Sequence, residues 1–210
     1  MKKSKKFLAL VLSLAVIAVT SVSPTFSWLS AQSERVVNTF AGGAISIVVD
    51  EAKVGPDGSV IEGGRVTENH YKYAAGAVLD KDPTPTILKG SDSCYVFLYL
   101  ENELTDKFSL NIDNDSWKAV AQDGGNTLYV YSTKVDASQA ENDVVLTPIF
   151  TKVTVSDSLT AEDINNLGER TLCVTAYAVQ TEALSSEAAI DLAVAQFMPE
   201  GTTPTYVPVA

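Results

Sequence analysis

Histidine and cysteine are nearly missing from this 210-residue chain, which has one His, at position 70, and two Cys, at positions 94 and 173. A zinc set needing two imidazoles cannot be assembled from them, and cysteines so far apart form no CxxC knuckle. Basic residues are also few: 15 Lys and Arg stand against 26 Asp and Glu, a formal charge of -11. Binding DNA or RNA requires clustered cations that displace counterions from phosphate, so nucleic acid is excluded as a partner. The 12 Gly and 8 Pro fall well short of a low-complexity composition, and 46% hydrophobic residues suffice for a core. One globular domain follows as the expectation.

Residues 1–27 differ from the rest. Lys2, Lys3, Lys5 and Lys6 precede an apolar run from Phe7 to Val22, and Pro24, Thr25, Phe26 and Ser27 come next. This is the layout of a secretory signal peptide. The run is shorter than the roughly 20 residues that cross a bilayer, which favours a cleaved segment over a permanent anchor. Thr25 and Ser27 are small enough for a signal peptidase, so the cut is expected between Ser27 and Trp28, with a position after Ala31 second. The mature chain then carries 11 basic against 26 acidic residues, a formal charge of -15. No second apolar run follows, and the end, MPEGTTPTYVPVA, has neither a hydrophobic tail nor a sorting pattern. A covalent or membrane anchor is therefore not expected.

Beyond Ser33 the dominant period is two, the mark of half-buried strands. Phe108, Leu110 and Ile112 alternate with polar neighbours, as do Ile45, Ile47 and Val49. Cys94 to Leu100 is apolar on both faces and should be a central strand between two covering layers. Further strands are expected at 127–133, 144–155 and 171–180, with a weaker one at 84–89. Pro148 places the 144–155 strand at an edge or a bulge. Turns are read at Gly55 to Gly58, at Gly63 and Gly64, at Lys89 to Ser93 and at Asp123 to Asn126. Thr160 with Asp163 reads as a capping box opening a short helix that stops at Gly168. Ser185, Ser186 and Glu187 open a longer one, with Ile190, Val194 and Phe197 on one stripe and Pro199 at its end. The fold class is all-β: an antiparallel, jelly-roll-like β-sandwich with one or two short peripheral helices, spanning 41–199, followed by a flexible tail at 200–210.

No constellation signals catalysis. His70, in TENHYKY beside Glu68, has neither a GxSxG elbow nor an HExxH helix to support it, so no catalytic residue and no cofactor are assigned. Asp113 and Asp115 suggest weak calcium binding, but the Gly and Glu of an EF-hand loop are missing. Cys94 and Cys173 lie on expected strands. They can bridge if those strands neighbour each other with suitable Cα spacing, or stay buried as small hydrophobes. Trp117 and Tyr131 are the aromatics a glycan-binding face would use; buried rings are the competing account.

The least usual segment is WLSAQSERVVNTF, Trp28 to Phe40. It places Trp28 and Leu29 at a chain end, then a polar middle, then Val36, Val37 and Phe40. Either it folds back on its own core, or it adds a strand to a neighbouring molecule. The stretches PTFSWLSAQ, NTFAGGAISIVVDE, RVTEN, KDPTPTILKGSDSCYVFLYLEN and TAYAVQTEAL resemble the TasA/camelysin family of secreted bacterial proteins, a likeness covering nearly the whole chain. The resemblance implies a jelly-roll subunit of biofilm-matrix or cell-surface fibres of a Gram-positive bacterium, processed by a dedicated signal peptidase. Its donor strand would be residues 28–40, anchored by Trp28, Leu29, Val36, Val37 and Phe40. Ser33, Glu34 and Arg35 interrupt its alternation, which leaves the register open. Camelysin-like proteins have also been called metallopeptidases; one His and no HExxH give no recognisable zinc set here.

The expected function is a structural fibre subunit assembling head to tail with copies of itself, possible accessory matrix proteins aside. A monomeric secreted module binding glycan or a host protein is the alternative, and a secreted peptidase ranks last.

Overall fold

A computed structural model describes residues 30–33, 45–55, 57–182, 184–198 and 204–207, with only the backbone described for 30–33. The described strands are β1 (Ser30–Ser33), β2 (Ile47–Val54), β3 (Val60–Val66), β4 (Val78–Asp80), β5 (Thr84–Ile87), β6 (Cys94–Asn102), β7 (Phe108–Leu110), β8 (Trp117–Asp123), β9 (Asn126–Tyr131), β10 (Val144–Val145), β11 (Lys152–Val155), β12 (Leu172–Gln180) and β13 (Thr205–Tyr206). The helices are α1 (Ala161–Leu167) and α2 (Ser186–Phe197). All strand pairs are antiparallel, in a six-stranded sheet ordered β1-β12-β6-β9-β8-β13, a four-stranded sheet β10-β5-β2-β3 and a three-stranded sheet β4-β11-β7.

The fold is an all-β sandwich with two short helices, organised around β6. Its seven residues from Cys94 to Leu100 are all buried. One face (Cys94, Val96, Leu98, Leu100) joins Ala176 and Ala178 against Ile47, Ile87, Leu79 and Val153 of the smaller sheets. The other (Tyr95, Phe97, Tyr99) packs with Tyr177 and Val179 under Ala189, Ala193 and Val194 of α2. Phe197 stacks on Tyr99 at 4.8 Å between ring centroids. A strand apolar on both faces thus has a layer on each side, as its sequence requires. Each fully buried large side chain contributes about 1.5–3 kcal/mol relative to exposure.

Both helices start where the sequence places them. Thr160 Oγ1 accepts from Asp163 N at 3.1 Å while the Asp163 carboxylate accepts from Thr160 N at 2.8 Å, closing a capping box. Ser185 caps α2 through Ala188 N. The buried stripe of α2 runs through Ala189, Ala193 and Val194, with Ile190 and Phe197 half-buried at its margins.

Two expectations are corrected. The stretch 144–155 is two strands in different sheets: β10 pairs with β5, whereas β11 pairs with β4 and β7. Proline lacks the N–H a continuous ladder needs, and after Pro148 the chain turns inward so that Ile149 and Phe150 plug the core. Gly63 and Gly64 form no turn; they lie within β3. The reversal sits earlier, where Gly58, at φ 79, donates its N–H to Gly55 O at 2.9 Å. Strands β3, β4, β8 and β13 had no clear alternation to reveal them.

Candidate functional site: a strand slot at the sheet edge

Of the segment from which assembly was expected, the described residues Ser30–Ser33 lie at the outer edge of the six-stranded sheet. There β1 pairs with β12 in the register Ser30↔Val179, Ala31↔Ala178, Gln32↔Tyr177 and Ser33↔Ala176. The stretch of β12 that it covers is among the best buried in the chain: Ala176, Ala178 and Val179 are fully buried and Tyr177 nearly so. Ala176 and Ala178 face the sandwich interior and Tyr177 and Val179 face α2. A backbone packed on both faces has little access to water, and a buried N–H or C=O left unpaired costs about 1–3 kcal/mol. The slot beside β12 therefore demands a strand. Backbone pairing is indifferent to which molecule supplies it.

Beyond the end of β1, a cleft of about 410 Å³ opens beside the first residues of β12. Its floor is apolar, with Val49, Leu79, Phe108 and Val153 from the smaller sheets and Leu172 and Val174 from β12. A polar knot closes one end. Lys81 Nζ donates to Glu51 Oε2 with both side chains largely buried, at 12% and 6% exposure. Asn69 Nδ2 donates to Glu51 Oε1 and to Ala52 O, each at 2.9 Å, and Asn69 Oδ1 accepts from Val54 N. Tyr71 donates to Asp80 O at 3.0 Å, and Lys81 sits over its ring. Burial, then the charge of Glu51, pushes the Tyr71 hydroxyl far above its ordinary value. Asn69, Tyr71 and Tyr73 point inward while His70 and Lys72 point out, so this stretch runs extended and is held by side chains alone. Tyr73 packs edge-on against Phe108 and reaches Gly168 O at 3.4 Å across the mouth of the cleft. Reading the sequence missed this knot; the only trace of it was alternation over 69–73 beside a turn-rich region.

Of the assembly residues read from sequence, Trp28, Leu29, Val36, Val37 and Phe40 lie outside the described residues, as does the expected cut between Ser27 and Trp28. The possible bridge between Cys94 and Cys173 is corrected. Their strands are neighbours, but Cys173 lies opposite Glu101 and Cys94 opposite Gln180. Seven positions along β6 at about 3.3 Å each separate the two by more than 20 Å, several times the reach of a disulfide. Cys94 is buried, and burial, with Asp136 and Asp92 adding to it, pushes its thiol up to about 12.

His70 is exposed, with Nε2 3.9 Å from Glu68 Oε1. Asp113 Oδ1 accepts from the N–H groups of Asp115 and Ser116, and the bonds from Ser116 hold its carboxyl below the usual range. That carboxylate organises a turn. Among the described residues no group of three or more His, Cys, Asp or Glu side chains is placed to hold a metal ion, and no helix is long and apolar enough to cross a membrane. Trp117 has no exposed surface; its Nε1 donates to Thr147 O at 3.0 Å and Tyr131 packs on its ring at 4.8 Å. It offers no face to a sugar.

No protein-family model, no curated protein and no solved structure matches the chain.

Proposed function

We propose that this chain is a secreted structural subunit of the TasA/camelysin kind, which polymerises head to tail into extracellular fibres. The mature N-terminal segment, residues 28–40, occupies the slot beside β12 of the next copy. The observation that supports this reading most is the position of β1: a short strand near the N-terminal end fills an edge slot whose other wall is packed on both faces. Ordering a residue costs about 1–2 kcal/mol of backbone entropy, so what β1 contributes comes from pairing the buried groups of β12, and the same segment of another copy would pair them equally well. Such a strand is readily exchanged for a copy of itself. A contact of this kind is heterologous and does not close, so it yields filaments. A signal peptidase that exposes Trp28 is the implied processing partner, and an accessory matrix protein could take the same slot.

The test combines N-terminal sequencing of the secreted protein with electron microscopy. The mature chain should begin at Trp28 and form filaments. Removing residues 28–40 should abolish them, and a synthetic peptide of those residues should bind the shortened chain one to one. Unchanged filaments after the deletion would sink the reading.

A further inference from the structure

Among the described residues Glu51, on β2, is the one charged residue that is buried, and its carboxylate is shared by two nitrogens. Lys81 Nζ, just past β4, donates to Oε2, and Asn69 Nδ2, in the extended stretch after β3, donates to Oε1 at 2.9 Å. Lys81 keeps 12% of its side chain in water and lies 5.6 Å from the centre of the Tyr71 ring. The amide oxygen Asn69 Oδ1 accepts from the backbone N–H of Val54 at 3.0 Å. A primary amine, a primary amide and a carboxylate touching both are the parts that amide exchange requires. An amine becomes a nucleophile by losing a proton to an adjacent base, and a carboxylate within hydrogen-bond reach is such a base. A fixed N–H on the amide oxygen stabilises the negative charge that develops there during attack. Bound to the two oxygens of one carboxylate, Nζ and Nδ2 are near neighbours, so the encounter is already made.

We propose that Lys81 and Asn69 join in an isopeptide bond within the folded chain, with Glu51 as the proton carrier. The Nζ lone pair attacks Asn69 Cγ, whose oxygen stays on the Val54 N–H. Nζ gives up two protons over the reaction, and Glu51 passes them to Nδ2. The Cγ–Nδ2 bond breaks as the Cγ–Nζ bond forms, and the former amide nitrogen leaves as ammonium. Nothing is oxidised or reduced. The ion pair of Glu51 and Lys81 belongs to the freshly folded chain, and the reaction follows it slowly. In the product the new amide N–H donates to Glu51, so the buried carboxylate keeps a partner. The bond ties the extended stretch 69–73, otherwise held by side chains alone, to the end of β4. Cys94 and Cys173 are free and too far apart to bridge, so this link is the covalent restraint that the described residues can supply. It does not depend on where the N-terminal segment binds.

The experiment follows the purified chain for several days at neutral pH by tryptic digestion and mass spectrometry. Trypsin cuts after Arg65, Lys72, Lys81 and Lys89, so the unjoined chain yields 66–72 and 73–81 as separate peptides. The joined chain should yield 66–72 linked to 73–89, uncut at Lys81 and lighter than the two together by one ammonia. Fragment spectra should place the link on Asn69 and Lys81. Glu51→Gln should slow its formation about 100-fold or more, and Lys81→Arg should abolish it. The unsubstituted chain decides the matter even if either variant fails to fold. Peptides 66–72 and 73–81 that stay separate, in a chain whose circular dichroism shows it folded, overturn the inference. So does a link that forms equally fast in denaturing urea, because the arrangement around Glu51 would then play no part.

Discussion

Burial sets the chemistry of Cys94 more than its identity does. Its thiol, raised to about 12 and without exposed surface, holds almost no thiolate at neutral pH, and the thiolate is the reactive form. In the native protein at pH 8 iodoacetamide should leave Cys94 unmodified, and labelling should appear only in denaturant. Modification at the rate of the unfolded chain would contradict the burial described here. Trp117 differs in carrying a polar atom inward. Removing the ring, in Trp117→Ala, should cost about 3–5 kcal/mol by chemical denaturation. Trp117→Phe keeps most of the packing but loses the bond to Thr147 O, a cost of about 0.5–1.5 kcal/mol. The Glu51 and Lys81 pair calls for another comparison. Glu51→Gln or Lys81→Met alone leaves one buried charge without its partner and should lose about 3–5 kcal/mol, whereas the double variant should lose much less. A loss in the double variant equal to the sum of the two single losses would mean the pair is not coupled.

Elements were legible in the sequence where one local rule dominated. The two-faced run in β6, the hairpin at Gly124 and Gly125, the capping box before α1 and the Ser185 cap of α2 each follow from residues within a few positions. What was not legible depends on partners distant in the chain. The extended stretch 69–73 is held by Glu51, Asp80 and Gly168, and β3 is a strand only because β2 lies beside it. The slot beside β12 was half legible: an apolar chain end left open whether the segment folds back or is donated, and only the register to Ala176 through Val179 shows which edge Ser30–Ser33 pairs with in its own chain. The caps make the clearest prediction at this scale. Ser185→Ala should lower stability by about 1 kcal/mol, measured by urea unfolding, because the first turn of α2 loses an acceptor. In α1 the bonds from Thr160 hold the Asp163 carboxyl below its ordinary 3.8. A group whose native value is depressed stabilises above its unfolded value and loses that contribution as pH falls through the native one. The α1 carbon chemical shifts should therefore stay helical down to about pH 4 and move toward coil only under more acid conditions. Shifts that change between pH 7 and 5 would assign the capping to something other than this carboxylate.

At the scale of the whole molecule, charge opposes the assembly proposed above. If the segment before Trp28 is removed and the chain polymerises as proposed, copies at a formal charge of -15 must bring like charges together. The attraction proposed at the β12 slot is short-ranged, made chiefly of backbone hydrogen bonds, while the repulsion extends over a Debye length. That length is about 30 Å at 0.01 M salt and about 8 Å at 0.15 M, so added salt removes the opposing force before it touches the attractive one. Assembly of the mature protein, followed by light scattering, should therefore be slow in 10 mM salt and quicken steadily as sodium chloride rises to physiological strength. Lowering the pH from 7 toward the pI of about 4.5 should act in the same direction, since protonating exposed carboxylates reduces the net charge. The two treatments should also be redundant: salt should accelerate assembly strongly at pH 7 and hardly at all near the pI. Assembly that weakens as salt is added at pH 7 would mean that opposite charges, not backbone pairing at the slot, drive the contact.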